Sequence, residues 1–281
     1  MYDYNHKSVV FTTSDAIAKL VDAHKTILEK TCVVPKINSD TLSLGQFLDK
    51  SYANMIAKES GLLVPDSVIV DLTEYNPQVI YNIEFPCIVK PVRSFEGQKN
   101  DIKVFNNQDK LVSYFTYLKN KNYRSVLVQQ YIDGPESRMV GLVGFVANDG
   151  EVYITGIMDK KREYPLNTGS TSYGAFSYNK FNLDIEKVIA FIKRTRYIGI
   201  FDFDFKYSDG KCYFIEMNFR NGALSYASTA AGINIVYLWY LDACGIDISK
   251  RVNKVENGLK FMLEIRDFRH VLDRNISLLT W

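Results

Sequence analysis

Residues Gly199–Gly222, GIFDFDFKYSDGKCYFIEMNFRNG, carry the sharpest alternation of apolar and polar positions in the chain. Phe201, Phe203 and Phe205 alternate with Asp202, Asp204 and Lys206, the period-two signature of a half-buried strand. Ser208-Asp209-Gly210-Lys211 predicts a turn in which Gly210 takes positive φ. The return strand, Cys212–Asn218, is expected to turn Tyr213, Ile215 and Met217 to one side and Phe214, Glu216 and Asn218 to the other.

Upstream, short strands are predicted at Ser8–Thr12 and Cys32–Pro35. Between them Ile17, Leu20, Val21, Ile27 and Leu28 recur at helical spacing over Ala16–Lys30, behind a Ser14-Asp15 cap. A second helix is expected over Leu42–Gly61, with Phe47, Leu48, Met55 and Ile56 inside and Lys50 at its edge. Strands follow at Ser67–Asp71, Phe85–Val92, Ile102–Phe105 and Ser125–Ile132, with an amphipathic helix at Gln108–Lys119. Asp133-Gly134-Pro135 reads as a turn and a hinge, and Ser137–Ala147 and Val152–Asp159 as strands beyond it. Lys160–Tyr173 reads as a long polar loop, the kind that often forms a lid, with Lys161, Arg162 and Tyr164 facing a substrate carboxylate. Helices at Asp184–Tyr197, Leu224–Ala231 and Ile235–Cys244 and a last strand at Leu259–Glu264 complete the reading.

Composition narrows the class. An apolar fraction of 47% with 14% aromatic residues supports packed cores, and a formal charge of +2 gives no electrostatic case for nucleic acid or an anionic membrane. Cys32, Cys87, Cys212 and Cys244 are scattered, as reduced core thiols are, and His6, His24 and His270 are too dispersed for a metal cluster. The first ten residues lack the apolar core of a signal peptide, and the run Ile233–Ile246 is too short and polar to span a bilayer. A cytoplasmic protein is expected.

Chemistry concentrates on the hairpin. Glu216 and Asn218 share a strand face, Asp204 on the partner strand completes a set of hard oxygen donors suited to magnesium, and Arg220 offers a fork to a phosphate. The solvated face of an amphipathic hairpin would give the same alternation. Lys90, inside the apolar FPCIVKPV, must snorkel, find a partner or point into a polar cleft. Gln129, Gln130 and Tyr131 close a strand where backbone groups and an amide edge suit a flat heterocycle, and Glu136 follows where an acid suits ribose hydroxyls.

Lys50 in LDKSYANMIAKESGLLVPDS, Lys90 in FPCIVKP, QQYIDGPE, and Asp204 with EMNFRNG occur in an order that resembles the ATP-grasp superfamily. The nearest flavour is the carbamoyl-phosphate-synthase-like and D-aspartate-ligase-like carboxylate–amine ligases. The resemblance implies an α+β chain, an ATP-grasp fold of two α+β lobes preceded by a truncated Rossmann-like (pre-ATP-grasp) segment. It places the partial segment and a linker helix at 1–65, the N-terminal lobe at 66–133 and the C-terminal lobe at 134–281. It implies ATP and Mg2+ (or Mn2+), with Lys50 and Lys90 on phosphates, Gln129, Gln130 and Ile132 at the adenine and Glu136 at the ribose. It further implies Asp204, Glu216 and Asn218 as metal ligands, with Asp202 an alternative to Asp204, and Arg220 and Lys90 as catalytic charges. The implied reaction joins a small-molecule carboxylate to an amine through an acylphosphate. A nucleotide-binding module or subunit without ligase activity is the alternative, and a homodimer or a partner chain completing the N-terminal segment is expected. Phe219 stands where the family often has Pro, and the loop Arg93–Asn100 after Lys90 is poor in glycine.

Overall fold

The computed structural model describes residues 7–74, 79, 83–93, 97, 99–166, 169–279 and 281. Among them the chain begins with strand β1 (Ser8–Val9), helices α1 (Asp15–Ala23) and α2 (Lys25–Leu28), and strand β2 (Cys32–Val33), which pairs parallel with β1. The predicted single helix is therefore broken at His24. Ile17, Leu20 and Ile27, apolar at helical spacing, are exposed, and the predicted strands are shorter. Strand β3 (Lys36–Ile37) leads into helices α3 (Leu44–Phe47) and α4 (Lys50–Glu59). Asp49 caps α4 by accepting from the backbone of Ser51 and Tyr52, which fixes Lys50 at its first turn. Phe47 and Leu48 are buried as expected, whereas Met55 is exposed.

A four-stranded sheet follows, built from β4 (Ser67–Asp71), β5 (Cys87–Pro91), β6 (Lys103–Phe105) and β7 (Ser125–Gln130) in the order β4-β7-β5-β6. Helix α5 (Gln108–Asn120) covers one face, where Val70, Cys87, Val89, Val126 and Val128 bury against Leu111, Phe115 and Leu118. The register pairs Ile88 with Gln129 and Lys90 with Leu127, so Lys90 and Gln129 share the opposite face. Because β5 lies between β7 and β6, Lys90 stands on an interior strand and not on an edge.

After a one-turn 3-10 helix at Glu136–Arg138, the second sheet gathers β8 (Met139–Val146), β9 (Val152–Tyr164), β10 (Ser170–Phe176), β11 (Tyr197–Ser208), β12 (Lys211–Asn218) and β13 (Lys260–Met262). The order is β12-β11-β8-β9-β10-β13, and β3 pairs with the start of β11. Helix α6 (Ile185–Thr195) packs with α3 and α4 on the face that bears Phe201, Phe203 and Phe205. Each such ring, fully buried, contributes about 2–3 kcal/mol. Helices α7 (Ala223–Ala230) and α8 (Ile235–Ala243) cover the other face around Ile200, Phe145 and Trp239. The chain ends in two short helices, α9 (Glu264–Asp267) and α10 (Arg269–Leu272). No helix among the described residues is long and apolar enough to cross a membrane.

Two expectations change here. Lys160–Tyr173 is not a loop: β9 runs on to Tyr164 and pairs with β10. Lys160 and Glu163 are buried as an ion pair and Arg162 pairs with the buried Asp267, so no apolar alternation announced the strand. Phe214 joins the phenylalanine core instead of sharing a side with Glu216 and Asn218. The cause is a bulge: Asp204 pairs with Glu216 and Phe205 with Phe214, leaving Ile215 as an extra residue.

Candidate active site

Strand β11 turns Phe201, Phe203 and Phe205 inward, so Asp202, Asp204 and Lys206 fall on the opposite face. The predicted turn closes this ribbon with Asp209 at φ 48° and Gly210 at φ 77°, the twist-matched geometry for a two-residue hairpin. Register then sets Asn218 opposite Asp202 and Glu216 opposite Asp204, which collects all four side chains on one surface.

The row is held by hydrogen bonds. Asn218 Nδ2 donates to Asp202 Oδ1 at 2.7 Å, and Arg220 Nη2 donates to Asn218 Oδ1 at 3.0 Å. Arg220 Nε donates to Asp15 Oδ1 at 3.0 Å, so α1 supplies a carboxylate from 205 residues away in sequence. Burial pushes the Asp202 carboxyl up to about 7, against the pull of Arg220. Gly222 is required by close approach: a Cβ there would lie 2.3 Å from Asp202 Oδ2.

Asp204 has a different partner. Lys160 Nζ, from β9, lies 2.7 Å from Asp204 Oδ1 and 3.2 Å from Glu163 Oε1. Burial alone would depress the Lys160 ammonium, but Asp204 and Glu163 more than reverse that and raise it above its ordinary value. Lys160 and Glu163, buried beside Asp204, were missed in the sequence, where MDKKREY looks like a solvated basic run. Asp15 was missed for a similar reason, since beside Ser14 it serves equally well as first-turn helix chemistry.

The other sheet and α4 bring the positive charges. Lys50, Asn54, Asp15, Glu216 and Asn218 line one pocket with Phe47, Leu48 and Ile215. Lys90 is 8% exposed; burial and the neighbouring Lys50 push it down to about 8, partly offset by Glu216. Burial would raise Glu216, yet Lys50, Lys90, Lys160 and Arg220 together hold it below the ordinary carboxylate value. Among the predicted residues, Lys50, Lys90, Glu216, Asn218, Asp204 and Arg220 are thus electrostatically one cluster. Asn54, one turn beyond Lys50, buries an amide Nδ2 without a hydrogen-bond partner beside them.

Two carboxylates and an amide oxygen on adjacent strands form an all-oxygen donor set that fits a small hard cation. Asp204 faces Glu216 and pairs with Lys160, while Asp202 is tied to Asn218 and Arg220, so both acids already hold partners on this surface. Elsewhere the sequence expectations fare differently. Gln129 is buried on β7 with Lys90's face, Gln130 is half-buried at the strand end, and Ile132 is buried. The side chain of Glu136 lies outside the described residues, as does part of the Arg93–Asn100 loop. Arg162 does not face a substrate: its Nε and Nη2 both donate to the fully buried Asp267. Lys161 lies 3.8 Å from Asp159, and the Tyr164 ring packs edge-on against His270.

Fold and site together define an α+β protein in which Lys90 of the four-stranded sheet and Lys50 of α4 approach an acidic ribbon of the large sheet, beside its own Lys160 and Arg220. The chain belongs to the RimK-like ATP-grasp domain family, which it matches over residues 48–240. It is 24% identical over 246 residues to the D-aspartate ligase of Enterococcus faecium, covering 83% of this chain and 58% of that protein. It is 26% identical over 196 residues to the D-alanine–D-alanine ligase of Aquifex aeolicus, covering 66% of this chain and 62% of the relative. The chain therefore spans about three-fifths of the length of these curated relatives. Among solved structures it is similar to the biotin carboxylase domain dimer of Hydrogenobacter thermophilus 2-oxoglutarate carboxylase, in complex with MgADP, ADP and bicarbonate. That likeness has a TM-score of 0.72 at 16% identity, over 90% of this chain and 57% of the other, and it bears on the fold alone.

Proposed function

We propose that the chain is an ATP-dependent carboxylate–amine ligase. The observation that carries this is the convergence on Glu216 of Lys50 and Lys90 from one side and Lys160 and Arg220 from the other. A carboxylate oxygen of the acid attacks the γ-phosphorus of ATP, the bond to ADP breaks, and an acylphosphate forms. An amine nitrogen then attacks the acyl carbon, the bond to phosphate breaks, and the nitrogen loses a proton as the amide forms. Both displacements put charge on phosphoryl oxygens and ask the protein for position and counter-charge. Lys50 and Lys90 hold phosphates from the small-sheet side, Arg220 and Lys160 from the ribbon side.

Asp204, Glu216 and Asn218 would hold Mg2+, which when bound acts as a Lewis acid on phosphate oxygens. The base and ribose of ATP fit the end of β7, at Gln129, Gln130, Ile132 and Glu136, on the same sheet as Lys90. The division 1–65, 66–133 and 134–281 belongs to this reading, with the parallel β1–β2 pair and α1 as the partial Rossmann-like segment. So do a cytoplasmic location and a second copy or partner chain against that segment, whose Ile17, Leu20 and Ile27 are exposed. Kinship with D-aspartate and D-alanine–D-alanine ligases makes amino acids the first substrates to try.

The test is phosphate release from MgATP across a panel of amino acids, singly and in pairs, in the parent and in Glu216→Ala. Amino-acid-dependent release that falls about a hundredfold in the variant is expected. Turnover that is indifferent to Glu216 refutes the assignment, and nucleotide binding without turnover points to a module that ligates nothing.

A further inference from the structure

Lys206 follows Asp204 by two residues on the same face of β11, and its ammonium is tied to a different part of the chain. It is 7% exposed, and its Nζ donates to the carbonyls of Gly134 at 2.8 Å and Pro135 at 3.0 Å. Those carbonyls belong to the crossing from β7 to β8, the segment between Ile132 and Glu136. A buried ammonium is costly unless it is hydrogen-bonded, and these two carbonyls supply acceptors for it. Gly134 at φ 126° takes a conformation reserved to glycine, and Pro135 has no N–H of its own to contribute. Lys206 therefore ties β11 to the crossing, whose Pro135 carbonyl also accepts from the Arg138 N–H.

We propose that Lys206 is a positioning residue that fixes the spacing between the nucleotide's base end and its phosphate end. The inference rests on the ligase reading above. One strand, β11, holds both Asp204, at the metal and phosphate end, and the tether to the crossing that carries Ile132 and Glu136. A whole nucleotide must meet both ends at once, so a preset spacing lowers the ordering cost of binding it. A ligand with phosphates and no base touches one end only and gains nothing from the tether.

The experiment measures the affinity of the full chain for MgADP and for magnesium tripolyphosphate by calorimetry, in the parent and in Lys206→Met. Affinity for MgADP is expected to fall about tenfold while that for tripolyphosphate stays within about twofold. The KM for ATP rises in proportion, and kcat changes by less than about threefold. Lys206→Arg, which keeps donors for both carbonyls, restores MgADP affinity to within about threefold of the parent. Equal weakening of both ligands, a fall in kcat at constant KM, or an Arg variant as weak as Met overturns the proposal. Should the Met variant not fold, Lys206→Gln reads the same two affinities with a milder change. A parent that binds neither ligand refutes the ligase reading itself, whereas a parent that binds both, with variants unchanged, refutes only the tether.

Discussion

Lys160 on β9 and Asp204 on β11 meet at 2.7 Å across an intervening strand, β8. Gly141 on β8, directly opposite Asp204, makes the crossing feasible: a Cβ there would lie 2.7 Å from Leu224 and 3.6 Å from the Lys160 stem. Both charges are desolvated, so removing one strands the other. Lys160→Met is expected to cost about 3 kcal/mol of stability, read by urea denaturation. Part of that loss should return with MgADP, because a cation on Asp204 replaces the missing ammonium.

Lys90 sets a pH dependence. Burial and Lys50 bring it to about 8, so the nucleotide-free protein sheds this charge above that pH. Phosphates beside it favour the ammonium. Below about pH 8 the proton is already present; above it, binding must draw one from solution, and affinity for MgADP falls towards tenfold per pH unit. Calorimetry at pH 7 and pH 9, in buffers of different ionisation enthalpy, counts that proton, and Lys90→Met should take up none. In the free protein the unfolded chain is the stronger proton binder between about 8 and 10.5, so this group's contribution to stability rises with pH across that window.

Gly222→Ala tests the tightness of the ribbon. The new methyl would lie 2.3 Å from Asp202 Oδ2 and 2.9 Å from Arg220 Nη1, so one of the two must move. Stability is expected to fall by about 1–3 kcal/mol. Amino-acid-dependent ATP turnover should fall at least tenfold, because Arg220 is displaced from Asn218. Unchanged turnover would show that this row does not act on the reacting phosphate.

Asp267 anchors the C-terminal helices to the β9–β10 hairpin through Arg162 and Ser172, and it also accepts from Trp281 Nε1 at the end of the chain. Burial would raise its carboxyl, but Arg162 and Ser172 more than offset that and hold it below 3.8. A depressed acid contributes stability that is complete above the unfolded value and lost as pH falls through the folded one. Asp267→Asn should therefore cost about 3 kcal/mol at pH 7, measured by denaturant titration, with the gap from the parent closing below about pH 4.

The legible parts of this molecule were those with apolar alternation behind them. The Phe201–Phe205 row, the Asp209-Gly210 turn and the strand of Lys90 all read correctly, because each polar residue stood against a buried apolar neighbour. The β9–β10 hairpin did not, since Lys160 and Arg162 are neutralised by Asp204 and Asp267, both distant in sequence, and leave no hydrophobic trace. Helix α1 misled for the opposite reason: its apolar spacing is real, but Ile17 and Leu20 have no covering element among the described residues.

The extra residue at Ile215 has a geometric consequence. Bulges concentrate twist and re-aim the side chains beside them. Ile215 thus works as a joint in the ribbon, letting Phe214 enter the aromatic core while Glu216 and Asn218 line the pocket beside α4. Straightened at that joint, the same side chains in the same order would aim past the lysines they are meant to meet.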